Sequence, residues 1–368
     1  MPQPDQPLQE VRMKEPRLFR ANEALGQIEC RKAGGLATEA LDELARNLEG
    51  VGGDAVAAWL AQREPTAASV YLATRLVPLG DPGKAAERWE ALLSLSPMPD
   101  PALLLPAAKS ALAAGTADRA SVHLRAALAL RPPYVFHARA AALVKELWRG
   151  CPPASRTARI AILGASTTAL LVPVVRALCF RDGVNAEFYE GVYGAYRQEI
   201  LDPLSGLHRF RPTIAFIAPH WRAVAIPPVS EDEDRAVETI VAEHEALWNA
   251  LSQASACHVV QHAFDLPAEE SHDHVATRPG GRTRIIERVN LEFQRRAPSF
   301  VSILDQAAVQ REVGRAAWQN ERLWFVARQH PAPEALPALA EMQMAHVRAV
   351  TGLTKKVVVC DLDNTLWG

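Results

Sequence analysis

The stretch ARIAILGAST, residues 158–167, decides the fold of the larger part of the chain. Its first six residues are almost entirely apolar, which is typical of a strand buried on both faces of a parallel sheet. The segment TTALLVPVVRALCF (167–180) follows directly and has the length and apolar content of a helix. This strand–helix step predicts that an α/β domain begins here.

The same alternation continues towards the C-terminus. Four further apolar segments predict strands: NAEFYEG (185–191), TIAFIA (213–218), CHVVQHA (257–263) and FVSILD (300–305). Helices are predicted at about 232–255, 283–297 and 335–350. The acidic run SEDED (230–234) suits the positive end of the first of these helices better than it suits a metal. Repeated alternation predicts a parallel sheet with helices on both faces, over about 156–350.

The region before this domain has a different texture. Residues 1–20 are polar and proline-bearing and predict a disordered arm, whereas 21–150 is rich in Ala and Leu with helical periodicity. Four positions recur 35 residues later: Gly80, Ala85, Leu92 and Pro97 return as Gly115, Ala120, Ala127 and Pro132. This spacing resembles the tetratricopeptide repeat, and 36–62 resembles a degenerate third unit. A plain array of helical hairpins is the alternative, and either arrangement favours a surface that docks a protein partner.

Composition excludes several classes of protein. With 40 basic and 42 acidic side chains the net charge is −2, so neither nucleic acid nor an anionic membrane is indicated as a partner. The five cysteines lack CxxC spacing and favour free thiols over a zinc site or a disulfide framework. No signal peptide is recognisable at the start, so the cytoplasm is the expected compartment.

The chain closes on KKVVVCDLDNTLWG, residues 355–368. An apolar strand here leads into two carboxylates, and the alternation of side chains along a strand puts Asp361 and Asp363 on the same side. Two such carboxylates repel each other unless a cation lies between them, which makes Mg²⁺ the natural third component. Asp361 can attack phosphorus, Asp363 can act as acid and then base, and Thr365 can bond the phosphoryl oxygens.

This ending resembles the first motif of the haloacid-dehalogenase-type (HAD) phosphotransferases, and the form DLDNTLWG is similar to their FkbH-like subfamily. Two upstream segments, at 191–217 and 313–340, look like the domain that precedes the phosphatase domain in longer FkbH-like proteins. With that domain, the resemblance covers roughly residues 156–368.

The resemblance implies a function. FkbH-like proteins remove phosphate from a phosphorylated three-carbon acid, similar to 1,3-bisphosphoglycerate, and load the glyceryl group onto an acyl-carrier protein. They serve polyketide and other secondary-metabolite pathways, and relatives occur in polysaccharide assembly. The cofactor implied is Mg²⁺.

The rest of the family's phosphatase site lies downstream of its first motif: a Ser or Thr, a Lys and a second acidic pair. We therefore expect that residues 355–368 are the start of a truncated HAD-like domain, and that the 368-residue chain alone lacks phosphatase activity. A non-catalytic binding module that recruits a carrier protein is the alternative.

The α/β domain has a second resemblance, to SGNH-type hydrolases. GAST places Ser166 at the tip of the first strand, where that family carries its nucleophile, and His330 lies where the family has its late histidine. The position of the family's triad acid is Ala327, so we expect the histidine to lack a carboxylate. The fold class implied is an SGNH- or flavodoxin-like parallel sheet.

Two further SGNH positions are open. The glycine of the oxyanion hole is Gly191 or Gly194, and PHW (219–221) stands where the family has an asparagine. These departures favour an inert domain that positions a substrate or a carrier. An esterase or acyltransferase that uses Ser166 is the alternative.

Four histidines, His258, His262, His272 and His274, fall within seventeen residues and raise the possibility of a metal site. Their loop is polar, and a solvated loop is the simpler interpretation. Trp318 and Trp324 are expected to pack in the core.

Overall fold

Helices form the first part of the chain, and a parallel sheet with flanking helices forms the rest. The computed structural model describes residues 16–30, 37–63, 66–95, 100–150, 156–224, 226–267, 273–355 and 360. The chain divides into two compact units. One runs to Pro132 and includes Lys145–Cys151, while the other consists of Pro133–Val144 and of the chain from Pro152 onwards.

The helical unit is built from consecutive short helices. Their bounds are α1 Pro16–Cys30, α2 Thr38–Asn47, α3 Gly53–Leu60, α4 Ala67–Leu76, α5 Pro82–Leu95, α6 Pro101–Ala113 and α7 Ala117–Ala129, and α8 (Tyr134–Gly150) follows across the division between the units. α5 and α7 begin 35 residues apart, which matches the predicted period. Ala120 and Ala127 of α7 are fully buried, as close helix approach requires.

The first helix overlaps the arm predicted for residues 1–20. α1 begins at Pro16, inside the predicted arm, because Leu18, Ala21 and Leu25 are buried and join the core of the helical unit. That core also includes Leu41, Trp59 and Leu72. Burial of this apolar stripe outweighs the polar character of the flanking residues.

The second unit contains a five-stranded sheet. Its strands are β1 Arg156–Gly164, β2 Val184–Glu190, β3 Ile214–Ala218, β4 His258–His262 and β5 Val301–Leu304. The order is β2-β1-β3-β4-β5, and every pairing is parallel. The five predicted strands and the parallel α/β class are therefore confirmed. The further strand predicted at 356–361 lies outside the described residues except for Cys360.

Helices connect these strands and lie on both faces of the sheet. Their bounds are α9 Leu171–Arg181, α10 Tyr196–Leu201, α11 Gly206–Phe210, α12 Glu233–Ala254, α13 Asp273–Ala276, α14 Arg282–Arg296, α15 Gln306–Val313, α16 Arg315–Trp318, α17 Glu321–Ala327 and α18 Leu336–Val350. α12 and α14 pack together on one face, and α9 and α18 pack together on the other. The core under α12 and α14 includes Trp248 and Phe293.

Local chemistry explains several helix ends. Asp232 begins α12 as predicted, since its carboxylate accepts from Arg235 N at 2.9 Å. α9 begins at Leu171 and not at residue 167, because Thr167 and Thr168 use their side chains in contacts with distant segments. Cys179 and Cys257 are buried free thiols, whereas Cys360 is exposed. None of the described helices has the length and apolar content needed to cross a membrane.

Candidate active site

Polar side chains gather beyond the carboxyl ends of three neighbouring strands. Ser166 follows β1, His220 follows β3 and Asp265 follows β4. The order in which strands are added to the sheet reverses at β1, because β2 lies on one side of it and β3 on the other. Such a switch point opens a crevice at the carboxyl edge of a parallel sheet, which is where ligands bind in folds of this type.

Ser166 lies on a tight turn that only glycine permits at its start. A Cβ on Gly164 would lie 2.7 Å from Thr168 Cγ2 and 2.9 Å from Ser166 O. Beyond this turn, the Ser166 hydroxyl donates to the backbone carbonyl of His330 at 3.0 Å. The nucleophile predicted from GAST and the late histidine therefore come together.

The segment that carries His330 is fastened to the Ser166 turn. Thr167 N donates to Arg328 O at 2.9 Å, and Thr167 Oγ1 donates to Ala327 O at 2.6 Å. Ala332 N donates to Trp318 O at 2.8 Å on the other side of His330. These backbone contacts fix the position of the histidine relative to Ser166.

A buried carboxylate accompanies His330. Asp265 Oδ2 lies 2.7 Å from His330 Nε2 and accepts from Trp318 Nε1 at 2.9 Å, and the aspartate is completely buried. Burial alone would raise the pKa of Asp265, but the adjacent His330 imidazole outweighs it and holds the pKa well below its usual range. The expectation that the histidine lacks a carboxylate, based on Ala327, is wrong because Asp265, in the loop after β4, supplies one.

His220 completes the cluster. Its Nδ1 accepts from Arg222 N at 3.2 Å, which leaves the proton of the neutral ring on Nε2. The ring stacks on Trp324 with centroids 4.4 Å apart, and its centroid also lies 4.4 Å from that of His330. Burial, followed by the neighbouring His330, lowers the pKa of His220 to about 3, so the ring is neutral at physiological pH.

The three residues are spaced as a metal site would be. One ligand atom from each of His220, Asp265 and His330 lies within 4.8 Å of the others. Two imidazoles and one carboxylate suit a zinc-like ion, whereas Mg²⁺ prefers oxygen ligands. Binding through Nε2 of His220 would require the ring proton to move to Nδ1, where it would face the Arg222 N–H. The observed hydrogen bonding therefore favours a proton on Nε2.

The two glycines considered for an oxyanion hole already use their N–H groups. Gly191 N donates to Ile162 O at 3.0 Å, and Gly194 N donates to Gly164 O at 3.3 Å. In this arrangement neither N–H is directed towards a substrate. A different donor would have to stabilise an oxyanion.

The second group of histidines is held by neutral partners. His262 Nδ1 lies 2.9 Å from Gln306 Oε1, and its Nε2 lies 3.2 Å from Gln343 Nε2. His258 Nε2 lies 2.9 Å from Ser302 Oγ. Among the described residues the cluster with metal-like spacing does not include them, and His272 is outside those residues.

The structure adds two residues that the sequence argument missed, Asp265 and His220. Both directly follow predicted strands, so their place at the carboxyl edge of the sheet was available as a signal. Trp318 and Trp324 are buried as expected, but they contact Asp265 and His220 as well as the core. Asp361, Asp363 and Thr365 lie outside the described residues.

Comparison with known proteins identifies a fold and not a family. No protein-family model matches the chain, and no curated protein matches it. One matching crystal structure is that of the N-terminal part of the protein BF1531 from Bacteroides fragilis, containing a phosphatase domain complexed with Mg. The match has a TM-score of 0.51 and 20% sequence identity, and covers 58% of this chain and 57% of that one. This likeness shows an α/β fold shared with a phosphatase-containing protein.

Proposed function

We propose that this chain is part of an FkbH-like protein that removes phosphate from a phosphorylated three-carbon acid and transfers the glyceryl group to an acyl-carrier protein. The observation that carries the proposal is the DLDNTLWG sequence at 361–368, and the α/β fold shared with part of a solved fragment that contains a phosphatase domain supports it. Asp361 is the proposed nucleophile and Asp363 the acid and base.

Magnesium fits this proposal by the chemistry of its ligands. Carboxylates such as Asp361 and Asp363 are the ligands it prefers, and when bound it neutralises charge on phosphoryl oxygens. The nitrogen-rich cluster around Asp265 does not suit it. Asp361 and Asp363 are therefore the residues of this chain proposed to hold the ion.

The test is phosphate release by the natural protein from phosphorylated three-carbon acids, with and without Mg²⁺. Asp361→Asn should abolish release, because Asp361 attacks phosphorus, and Asp363→Asn should lower it strongly, because Asp363 gives its proton to the leaving oxygen. Glu312→Gln, a change at an exposed carboxylate, is the matched control and should leave release unchanged. Mg²⁺-independent release, or release that survives in Asp361→Asn, would overturn the proposal.

A second candidate function is ester hydrolysis or acyl transfer at Ser166. The observation that favours it is the completely buried Asp265 beside His330, whose backbone carbonyl accepts from the Ser166 hydroxyl. A serine beside a histidine that a carboxylate orients is the arrangement that activates a hydroxyl for acyl chemistry. The surrounding tryptophans would limit the access of water.

Hydrolysis of p-nitrophenyl acetate tests this candidate, with Ser166→Ala compared against Thr167→Val. Both hydroxyls donate to backbone carbonyls of the same segment, so the two variants lose similar structural bonds. Only Ser166→Ala should abolish turnover. Equal activity in the two variants would refute the Ser166 site and leave the domain as a binding module.

A further inference from the structure

Two buried polar atoms in the cluster of His220, Asp265 and His330 have no hydrogen-bond partner among the described residues. His330 Nε2 lies 2.7 Å from Asp265 Oδ2, but the two groups are not aligned as donor and acceptor, so Nε2 makes no hydrogen bond. Asp265 Oδ1 makes none either. Buried polar atoms are nearly always paired, so two unpaired atoms in one cluster point to a ligand that both can contact.

A cation would satisfy both atoms. Asp265 Oδ2 already accepts from Trp318 Nε1 at 2.9 Å, so Oδ1 is the carboxylate oxygen that can bind an ion. His330 Nε2 offers an imidazole nitrogen. His220 offers a second through Nε2, because its Nδ1 faces Arg222 N. One ligand atom from each of the three residues lies within 4.8 Å of the others, which suits a shared ion.

Coordination has a cost at His220. In the observed hydrogen bonding, Nδ1 accepts from Arg222 N at 3.2 Å and Nε2 carries the hydrogen. An ion at Nε2 moves that hydrogen to Nδ1 and breaks the bond from Arg222. One hydrogen bond between neutral groups contributes far less free energy than binding of a transition-metal ion, so a bound ion outweighs this cost.

The donor set and its burial select the ion. Two imidazoles and one carboxylate suit zinc or iron(II), whereas Mg²⁺ prefers oxygen ligands. Iron(II) with this donor set keeps several positions open to water or substrate. Here Asp265 is completely buried and His220 is 2% exposed. Trp318 and Trp324 also pack against the cluster, which favours the lower coordination number of zinc.

We propose that His220, Asp265 and His330 bind one Zn²⁺. Three protein ligands leave a fourth position open, as in catalytic rather than structural zinc sites. Trp318 holds the carboxylate by its other oxygen, and carboxylates that bind metals are usually hydrogen-bonded in this way. The segment that carries His330 is fastened by backbone bonds on both sides, so the ligands are positioned before an ion arrives.

This site goes beyond the proposed phosphate release, which depends on Asp361 and Asp363. It also competes with the second candidate function. His330 bound to zinc through Nε2 carries hydrogen on Nδ1, so the ring cannot take a proton from Ser166. Zinc should therefore inhibit any ester hydrolysis that depends on Ser166, and a chelator should restore it.

Calorimetric titration of the chelator-treated full chain with ZnCl₂ tests the site. We expect one zinc per chain, and an affinity lower by at least about a hundredfold in His220→Phe, which keeps a ring against Trp324 but has no nitrogen. His262→Gln, a change at a buried histidine outside the cluster, is the matched control and should bind zinc like the unmodified chain. Asp361→Asn should also bind it normally.

Long-range ¹H–¹⁵N NMR of the unmodified chain tests the same site without any variant. Zinc should move the hydrogen of His220 from Nε2 to Nδ1, and Mg²⁺ should not. A chain that binds no zinc, equal zinc affinity in His220→Phe and the unmodified chain, or bound zinc that leaves the His220 hydrogen on Nε2 would each overturn the proposal.

Discussion

Two buried histidines near the carboxyl edge of the same sheet have opposite surroundings. His262, the last residue of β4, lies between the amides of Gln306 and Gln343. His330 contacts the carboxylate of Asp265. Asp265 lies only three residues after His262 in the chain. Neutral amides satisfy a neutral imidazole completely, whereas a carboxylate favours a charged one.

This difference separates a histidine with a structural role from one that could act as a base. Burial lowers the pKa of His262 to about 4, so that this ring remains neutral and fills the core. At the other histidine, the ionised Asp265 would stabilise the imidazolium formed if a serine gave up its proton to the ring. A carboxylate contact distinguishes the candidate base better than burial does, because both rings are buried.

The largest effect is expected from His330→Ala. This change leaves the ionised Asp265 buried without the imidazole beside it, and an uncompensated buried carboxylate costs about 3–5 kcal/mol. Urea unfolding of the α/β unit measures it. The double variant His330→Ala, Asp265→Leu should recover much of the loss, and a loss below about 1 kcal/mol in the single variant would contradict the pairing.

The next effect concerns pH and His262. Its pKa is about 4 in the folded state and near 6.5 when unfolded, so its contribution to stability is present above pH 6.5 and is lost as the pH falls towards 4. The contribution is on the order of 3 kcal/mol. Unfolding free energies of the unmodified protein and of His262→Gln, measured from pH 7 to pH 4, should converge. Parallel curves would mean that folding does not lower the pKa of His262.

A smaller effect is expected from His262→Leu at neutral pH. Gln306 and Gln343 each lose a buried partner, which costs about 1–3 kcal/mol. Hydrolysis by the folded variant should be unaffected, because His262 does not contact Ser166 or His330. A loss of kcat without a loss of stability would contradict the purely structural role of His262.

The smallest effect is expected from Ser302→Ala. Ser302 Oγ lies 2.9 Å from His258 Nε2 and 2.9 Å from His346 Nδ1, in a half-buried position where a hydroxyl and not a carboxylate joins two rings. Losing these bonds should cost about 1 kcal/mol and leave hydrolysis unchanged. Thermal unfolding together with the ester assay checks both expectations.

Local sequence patterns predicted most of the α/β fold. The five strands and the helices at 233–254, 282–296 and 336–350 follow apolar runs whose length and flanking residues depend on neighbours in the chain. The short helices α15, α16 and α17 were not predicted, since they are set by tertiary contacts such as those of Trp318 and Gln310 with the loop after β4.

The candidate site was only half predictable for the same reason. Ser166 and His330 stand in recognisable patterns, but Asp265 meets His330 only when β4 and the segment after α17 are brought together. The family pattern predicts the acid three residues before the histidine, and that position is Ala327, which has no carboxylate. A strand end far away in the sequence supplies it instead.

Covalent labelling of Ser166 by a small fluorophosphonate, located by mass spectrometry, tests the Asp265–His330 pair most directly. Ser166 should be labelled in the unmodified protein and in His262→Gln, and should lose its label in Asp265→Leu, provided that all three remain folded. Equal labelling of His262→Gln and Asp265→Leu, or no labelling of Ser166 in the unmodified protein, would contradict an activated serine at this site.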